Sequence, residues 1–164
     1  MNTIHLILDL DGTLINENGE PRPNVTTFLD FCFKNCASVN IWTAASLEWY
    51  NEIRFLRNYP FKFIWTGDRC TTRSIGYQGM DSIRIKIKRL KKVWKVYRNW
   101  QNPPTKYNTL IIDDTPLTYR DNWGNAMRIT TYINGHDEEL SKIIEWFNNL
   151  LAEVNVRSKC KLLP

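Results

Sequence analysis

Asp9 and Asp11 stand one residue apart at the point where the apolar run Ile4–Leu8 ends. A second run, Leu110–Ile112, ends in the adjacent pair Asp113 and Asp114. Carboxylates gathered at one place repel each other unless a cation joins them. With hard oxygen donors and no His or Cys beside them, the cation to expect is magnesium. A carboxylate can also attack phosphorus, and the acyl phosphate it forms splits one difficult hydrolysis into two easier steps. Asp11, two positions from Asp9, is placed to protonate the leaving alkoxide and later to deprotonate water. The bland alternative for all four acids is turn and helix-cap chemistry, for which Asp is well suited.

The elements that would position these residues can be read from hydropathy. Ile4–Leu8 reads as a buried strand, followed by a polar segment, Asn16 to Pro23. Val25, Phe28, Leu29, Phe31 and Cys32 then have the spacing of one helical face. A strand ending at Trp42 or Thr43 follows. Ser46 is placed to cap a helix that carries Leu47, Ile53 and Leu56 and stops at Pro60. The segment FKFIW is a third strand, and the polar, glycine-containing stretch 66–81 reads as loop or a small hairpin. IRIKIK alternates like a half-exposed strand, and Leu90, Val93, Trp94 and Tyr97 resume helical spacing. A strand over 108–112, a short strand AMRITTYI and a helix from about His136 that buries Leu140, Ile143, Ile144, Phe147, Leu150 and Leu151 complete the pattern. The expected organisation is one domain over 1–154 and a mobile tail over 155–164.

Strands alternating with helices imply an α/β fold with a mainly parallel sheet. In such sheets ligands bind outside the carboxyl ends of the strands. Asp9, Thr43 and the pair Asp113 and Asp114 all fall there, on three different strands.

Composition narrows the field. The 164 residues are 43% hydrophobic and 24% charged, which excludes a disordered chain. No run is long enough to cross a membrane and no signal peptide opens the sequence, so an intracellular protein of the cytoplasm or nucleus is expected. Cys32, Cys36, Cys70 and Cys160 are too scattered for a disulfide framework, which fits a reducing compartment; with only His5 and His136 to assist, zinc is not expected. The net charge of +5 is concentrated between Arg84 and Arg98, which favours anionic partners, nucleic acid included, or else a solvated helix face.

The motifs resemble those of a known family. DLDGTL at Asp9–Leu14 is similar to the first motif of the haloacid dehalogenase superfamily. The rest resembles its phosphatases acting on the RNA polymerase II C-terminal domain, the NLI-interacting-factor-like group. That agreement runs through Arg22-Pro23, WTAAS at Trp42–Ser46, FIWTGDRCT at Phe63–Thr71, KRLKKVW at Lys88–Trp94, NTLIIDDTP at Asn108–Pro116, then Asn122 and Asn125-Ala126. The resemblance implies a Rossmann-like three-layer fold without a large cap domain and with a small insert between Thr43 and Lys88. It implies a magnesium-dependent phosphatase using an aspartyl-phosphate, with Asp9 as nucleophile and metal ligand. Asp11 would be general acid/base and offer its main-chain carbonyl to the metal. Thr43, with Ala44 beside it, and Lys88 would hold the phosphoryl group. Asp114 would be the direct metal ligand, with Asp113 alongside, and Thr13 would brace the loop. Arg69 and Arg73 of the insert would lie by the site, with Arg69 touching substrate.

Three positions depart from the family pattern: Gly12 where Glu is frequent, Arg89 where Asp is usual, and a segment of only seven residues, Ile15–Pro21, before Arg22. The expected substrate is a phosphoserine or phosphothreonine in a flexible peptide. A nucleic-acid end, with Trp49, Tyr50, Trp100 and Tyr107 as stacking aromatics, is the alternative substrate, and a catalytically silent binding module the alternative class. Neither a membrane partner nor an oligomeric state is indicated by the sequence.

Overall fold

A computed structural model describes residues 3–76 and 83–150. Five strands form one parallel sheet: β1 (His5–Leu8), β2 (Ser38–Trp42), β3 (Ile64–Trp65), β6 (Thr109–Asp113) and β7 (Ala126–Arg128). Their order is β3-β2-β1-β6-β7, so β1 is central and the chain reverses its direction of winding between β1 and β6. Two further strands, β4 (Thr71–Ile75) and β5 (Ile83–Ile87), pair antiparallel as a separate hairpin, the insert expected between Thr43 and Lys88. Its tip, and the tail expected to be mobile, lie outside the described residues.

Strand alternation decides which layer each side chain enters. Leu6, Leu8, Val39, Ile41, Leu110 and Ile112 join one core with Phe28, Leu29 and Cys32 of α1 (Val25–Asn35) and Leu140 and Phe147 of α5 (Glu139–Leu150). Ile7, Trp42 and Ile111 join the other, with Trp65 and with Leu90 and Val93 of α3 (Leu90–Val96). The result is a three-layer α/β fold. Among the described residues, no helix is long and apolar enough to cross a membrane. Cys32, Cys36 and Cys70 are buried free thiols.

Local details differ from the sequence reading where tertiary contacts override periodicity. The helix expected from Ser46 to Pro60 is split into α2 (Leu47–Glu52) and a 3-10 turn over Arg54–Asn58, with Ile53 between them at φ −81° and ψ 83°. Ser46 does cap α2, accepting from Trp49 N at 3.2 Å, but Leu47 is half exposed. FKFIW contributes only two residues to the sheet, because pairing with β2 is confined to Ile41↔Ile64 and Trp42↔Trp65. The last strand is Ala126–Arg128, and α5 begins at Glu139 rather than His136. The expected burial of Leu150 and Leu151 lies outside the described side chains.

One buried charge ties the loops above the sheet together. Arg22 is almost wholly buried and donates through Nε and Nη2 to the Asp137 carboxylate at 2.9 and 2.7 Å. Its Nη1 reaches the carbonyls of Gly12 and Thr13 at 3.1 and 3.2 Å, and Nη2 that of Thr130 at 2.8 Å. A planar fork with five donors suits this work better than a lysine would. The side chain thus holds the turn after β1 to the segment that leads from β7 into α5. Hydrogen bonds from Arg22 hold the Asp137 carboxyl below its ordinary range. A depressed folded-state value means that the contribution is present above the ordinary carboxylate range and fades as acid protonates Asp137. Asp137→Asn at neutral pH leaves a buried guanidinium without its counter-charge and is expected to cost about 3 kcal/mol, read as a lower urea midpoint with unchanged slope.

Candidate active site at the carboxyl edge of the sheet

Asp9 follows β1 directly, and its N–H donates to the Ile112 carbonyl at 2.9 Å, so it is anchored beside β6. Extending the alternation of His5 and Ile7 places Asp9 on the face shared with Thr109, Ile111 and Asp113. That is the α3 side, and Lys88 enters it from the end of β5, just before α3. Lys88 is fully buried; its Nζ donates to Asp9 Oδ1 and, at 2.8 Å, to Asp113 Oδ2. Its backbone is fixed as well: Lys88 N donates to the Thr118 carbonyl at 2.6 Å. The Asn122 side chain donates to the Lys88 carbonyl at 2.6 Å and accepts from Leu90 N at 3.0 Å.

The two acids that end β6 have different surroundings. Asp113 also accepts from Thr118 Oγ1 at 2.7 Å and from Thr115 N at 2.8 Å, so its carboxylate is well occupied. Among the described residues, Asp114 accepts only from hydroxyls, of Thr131 at 2.8 Å and Thr115 at 3.1 Å. Asp9, Asp113 and Asp114 each offer an oxygen within 4.8 Å of the others. Gly12 has φ +73°, and a Cβ there would run into the Asp114 carboxylate. A bare α-carbon at position 12 is therefore what lets Asp114 approach the first loop.

Asp11 lies on the other side of the opening. Its Oδ1 accepts from Trp49 Nε1 at 2.6 Å and its Oδ2 from Thr43 Oγ1 at 3.2 Å. Thr43 Oγ1 in turn accepts from Ala45 N at 2.9 Å. Lys86 Nζ donates to the Ala44 carbonyl at 2.7 Å and occupies the space where Gly67 has no Cβ. Thr13 is buried and braces its loop through its carbonyl, which Arg22 holds. Arg69 is not drawn into the cluster: it is largely exposed, pairs with Asp68 at 3.7 Å and sits 5.6 Å over the Trp65 ring.

Sequence reasoning missed several supporting residues. Thr131 and Asp137 act through contacts far apart in sequence, and Thr118 through its hydroxyl on Asp113 five positions earlier; Asn122, part of the motif set, has its role at Lys88 only in the folded chain. Of the four aromatics of the alternative nucleic-acid reading, Trp49 donates to Asp11, Tyr50 is buried, Trp100 packs on Tyr97 at 4.4 Å and Tyr107 is half exposed. The exposed indole is Trp123.

Three carboxylates against one ammonium set the electrostatics. Burial pushes the Asp9 carboxyl up to about 8; Lys88 opposes this and the Asp113 charge adds to it. Burial alone would lower the Lys88 value, but Asp9 and Asp113 outweigh it and hold the ammonium above its ordinary range. Asp9 grips its proton because burial disfavours its charged form, and Lys88 grips its own because two carboxylates face it. A folded-state value raised for Asp9 contributes stability below its ordinary value of 3.8, and this is lost as pH rises through about 8. In chelator at about pH 8, Asp9→Asn is expected to melt at least ~3 °C above wild type, the shift that roughly 1 kcal/mol gives a domain of this size. The gap should narrow at about pH 5, as scanning fluorimetry would report.

A sequence profile of the family described as NLI interacting factor-like phosphatase matches residues 4–157. No curated protein matches at a significant level. Among solved structures, the core domain of "a putative phosphoglycolate phosphatase" from Streptococcus pneumoniae TIGR4 is 18% identical over 88% of this chain and 97% of that one, with a TM-score of 0.48. Likeness at that level carries no weight for activity. The profile spans nearly the whole chain, from β1 past α5, and the chain belongs to the NLI interacting factor-like phosphatases, enzymes of the haloacid dehalogenase type.

Proposed function

We propose that the protein is a magnesium-dependent phosphomonoesterase in which Asp9 forms an aspartyl-phosphate. The observation that carries this is the convergence of Asp9, Asp113 and Asp114 oxygens within 4.8 Å beside the Lys88 ammonium. The hard oxygen donor set and its excess negative charge suit magnesium. Asp9 and Asp114 would hold it with the Asp11 carbonyl, and Asp113, already committed to Lys88, Thr115 and Thr118, would stand beside them. Bound there, magnesium would neutralise charge on the phosphoryl oxygens.

In the first step an Asp9 carboxylate oxygen attacks phosphorus and the ester P–O bond breaks. The leaving oxygen takes a proton from Asp11. In the second step Asp11 takes a proton from water, whose oxygen attacks the same phosphorus; the acyl–phosphate bond breaks, Asp9 is regenerated and inorganic phosphate leaves. Trp49 and Thr43 hold the Asp11 carboxylate in one orientation for both transfers. Thr43, the Ala44 main chain and Lys88 would cradle the phosphoryl oxygens, where positioning and charge do most of the work. Arg69, outside this cluster, would act at most on distal parts of a substrate.

Among the described residues the insert is a two-stranded hairpin with no large cap, which supports a phosphoserine or phosphothreonine in a flexible peptide as substrate. Wild type should hydrolyse para-nitrophenyl phosphate with magnesium and lose that activity in EDTA. Asp9→Asn should abolish turnover, by at least about a thousandfold in kcat, and Asp11→Asn should lower it by about a hundredfold or more. Intact turnover in Asp9→Asn would refute the nucleophile assignment. Phosphopeptides and phosphorylated nucleic-acid ends, compared by kcat/KM, separate the two substrate classes.

A further inference from the structure

Behind the strand end that carries Lys88, the segment between α4 (Pro116–Tyr119) and β7 presents Trp123 at 86% exposure. A tryptophan this exposed forgoes a large burial gain, and it is not on a loose tip. Asn122 N donates to the Tyr119 carbonyl at 2.8 Å, Asn125 N to the Asn122 carbonyl at 2.9 Å, and the Asn122 side chain is clamped to Lys88 and Leu90. Asn125 Nδ2 reaches the Thr109 carbonyl at 2.7 Å. Gly124, at φ 72°, turns the chain between these anchors. The indole is therefore displayed from a braced turn.

Trp123 is also a shared wall of two clefts, of about 530 and 560 Å³. Pro116, Tyr119 and Ala126 give the first an apolar and aromatic lining, with Arg128 at its side. The second is lined by Arg73, Arg89, Lys91 and Arg120 against a single acid, Asp121. Asp121 accepts from Arg89 Nε at 2.7 Å and lies 3.7 Å from Arg73, so one acid faces four cations and does not neutralise the cleft. Among the described residues, Lys91 and Arg120 make no ion pair.

From this arrangement we infer that the clefts around Trp123 form a binding site for single-stranded nucleic acid. A stiff, exposed aromatic flanked by cations is what a strand with alternating bases and phosphates requires: bases stack on the ring, and the backbone follows the charges. A duplex keeps its base faces inside and offers the indole nothing to stack on. A phosphopeptide can satisfy the cations, but it meets the ring only where its sequence happens to supply an aromatic or proline side chain, whereas every nucleotide carries a base. Neither stacking nor backbone contact depends on sequence, so recognition is of strand form. The site concerns binding alone and does not rest on the proposed turnover. Its position on the segment that clamps Lys88 would bring a bound strand close to the phosphatase centre.

The test is fluorescence anisotropy of a short fluorescein-labelled oligothymidylate without terminal phosphate, titrated in EDTA so that no hydrolysis intervenes. Wild type should bind, with log K falling against log salt at a slope of about −2 to −3, as expected for three or four phosphate contacts. Trp123→Ala should weaken binding by about tenfold or more with the slope kept. Arg120→Glu should weaken it and flatten the slope by roughly one or more. Both side chains are at the surface, so melting temperatures should match wild type. Absent binding by folded wild type, affinity indifferent to Trp123→Ala, or equal competition by a duplex or by an equally charged phosphopeptide would overturn the inference.

Discussion

Everything above the sheet is organised around three carboxylates that must share one small space. Asp9 and Asp113 leave adjacent parallel strands on the same face, and Asp114 comes in beneath the first loop. Left to themselves they would repel, and burial makes the repulsion worse. Lys88 resolves part of it by standing between Asp9 and Asp113. The remaining negative charge is the reason a divalent cation could be held there, while burial, which disfavours the charged form, is what pushes the carboxyl of Asp9 so far upward.

The demand for Lys88 explains the insert. A lysine that belongs to neither β1 nor β6 has to be brought to their carboxyl ends, and β5 does so by delivering it at the start of α3. Thr118 and Asn122 then hold its backbone, so the segment after the acidic pair supports both Asp113 and the lysine that Asp113 binds. Arg22 does similar work for the first loop, gathering the Gly12, Thr13 and Thr130 carbonyls around a guanidinium whose charge Asp137 balances. Gly12, where the family frequently carries Glu, has a steric reason here, since the Asp114 carboxylate occupies the space of any Cβ.

The aromatic residues divide by role in a way their spacing did not reveal. Phe63, Trp65, Tyr97 and Trp100 pack into one ladder beside the sheet, and Trp49 has become a hydrogen-bond donor to Asp11. Trp123, which sits in a short polar stretch with no hydrophobic periodicity, is the tryptophan left in solvent. Arg89 departs from the family's usual acid and lines the basic cleft next to that indole. The surface behind Lys88 thus carries a chemistry different from that of the catalytic opening.

The strand-end acids were legible because they depend on local rules. An apolar run that stops at Asp9, and another that stops at Asp113, can hardly be anything but buried strands with their carboxyl ends at the surface. The parallel α/β class and the site edge follow from their alternation with helices, and the ordered motifs over 4–151 were enough to indicate the phosphatase family. Other features required the folded chain. Leu47 looked like part of a buried helix face, yet at the first position of α2 it is half exposed. Trp49 and Trp123 are both tryptophans in polar surroundings, and only long-range packing sends one to Asp11 and the other to solvent. The pairing of Arg22 with Asp137 spans 115 positions, and that of Lys88 with Asp9 spans 79. Local sequence determines periodicity, caps and turns. Which distant charges meet, and which of two neighbouring acids remains open to a cation, is decided by how the strands are ordered and how the loops above them close.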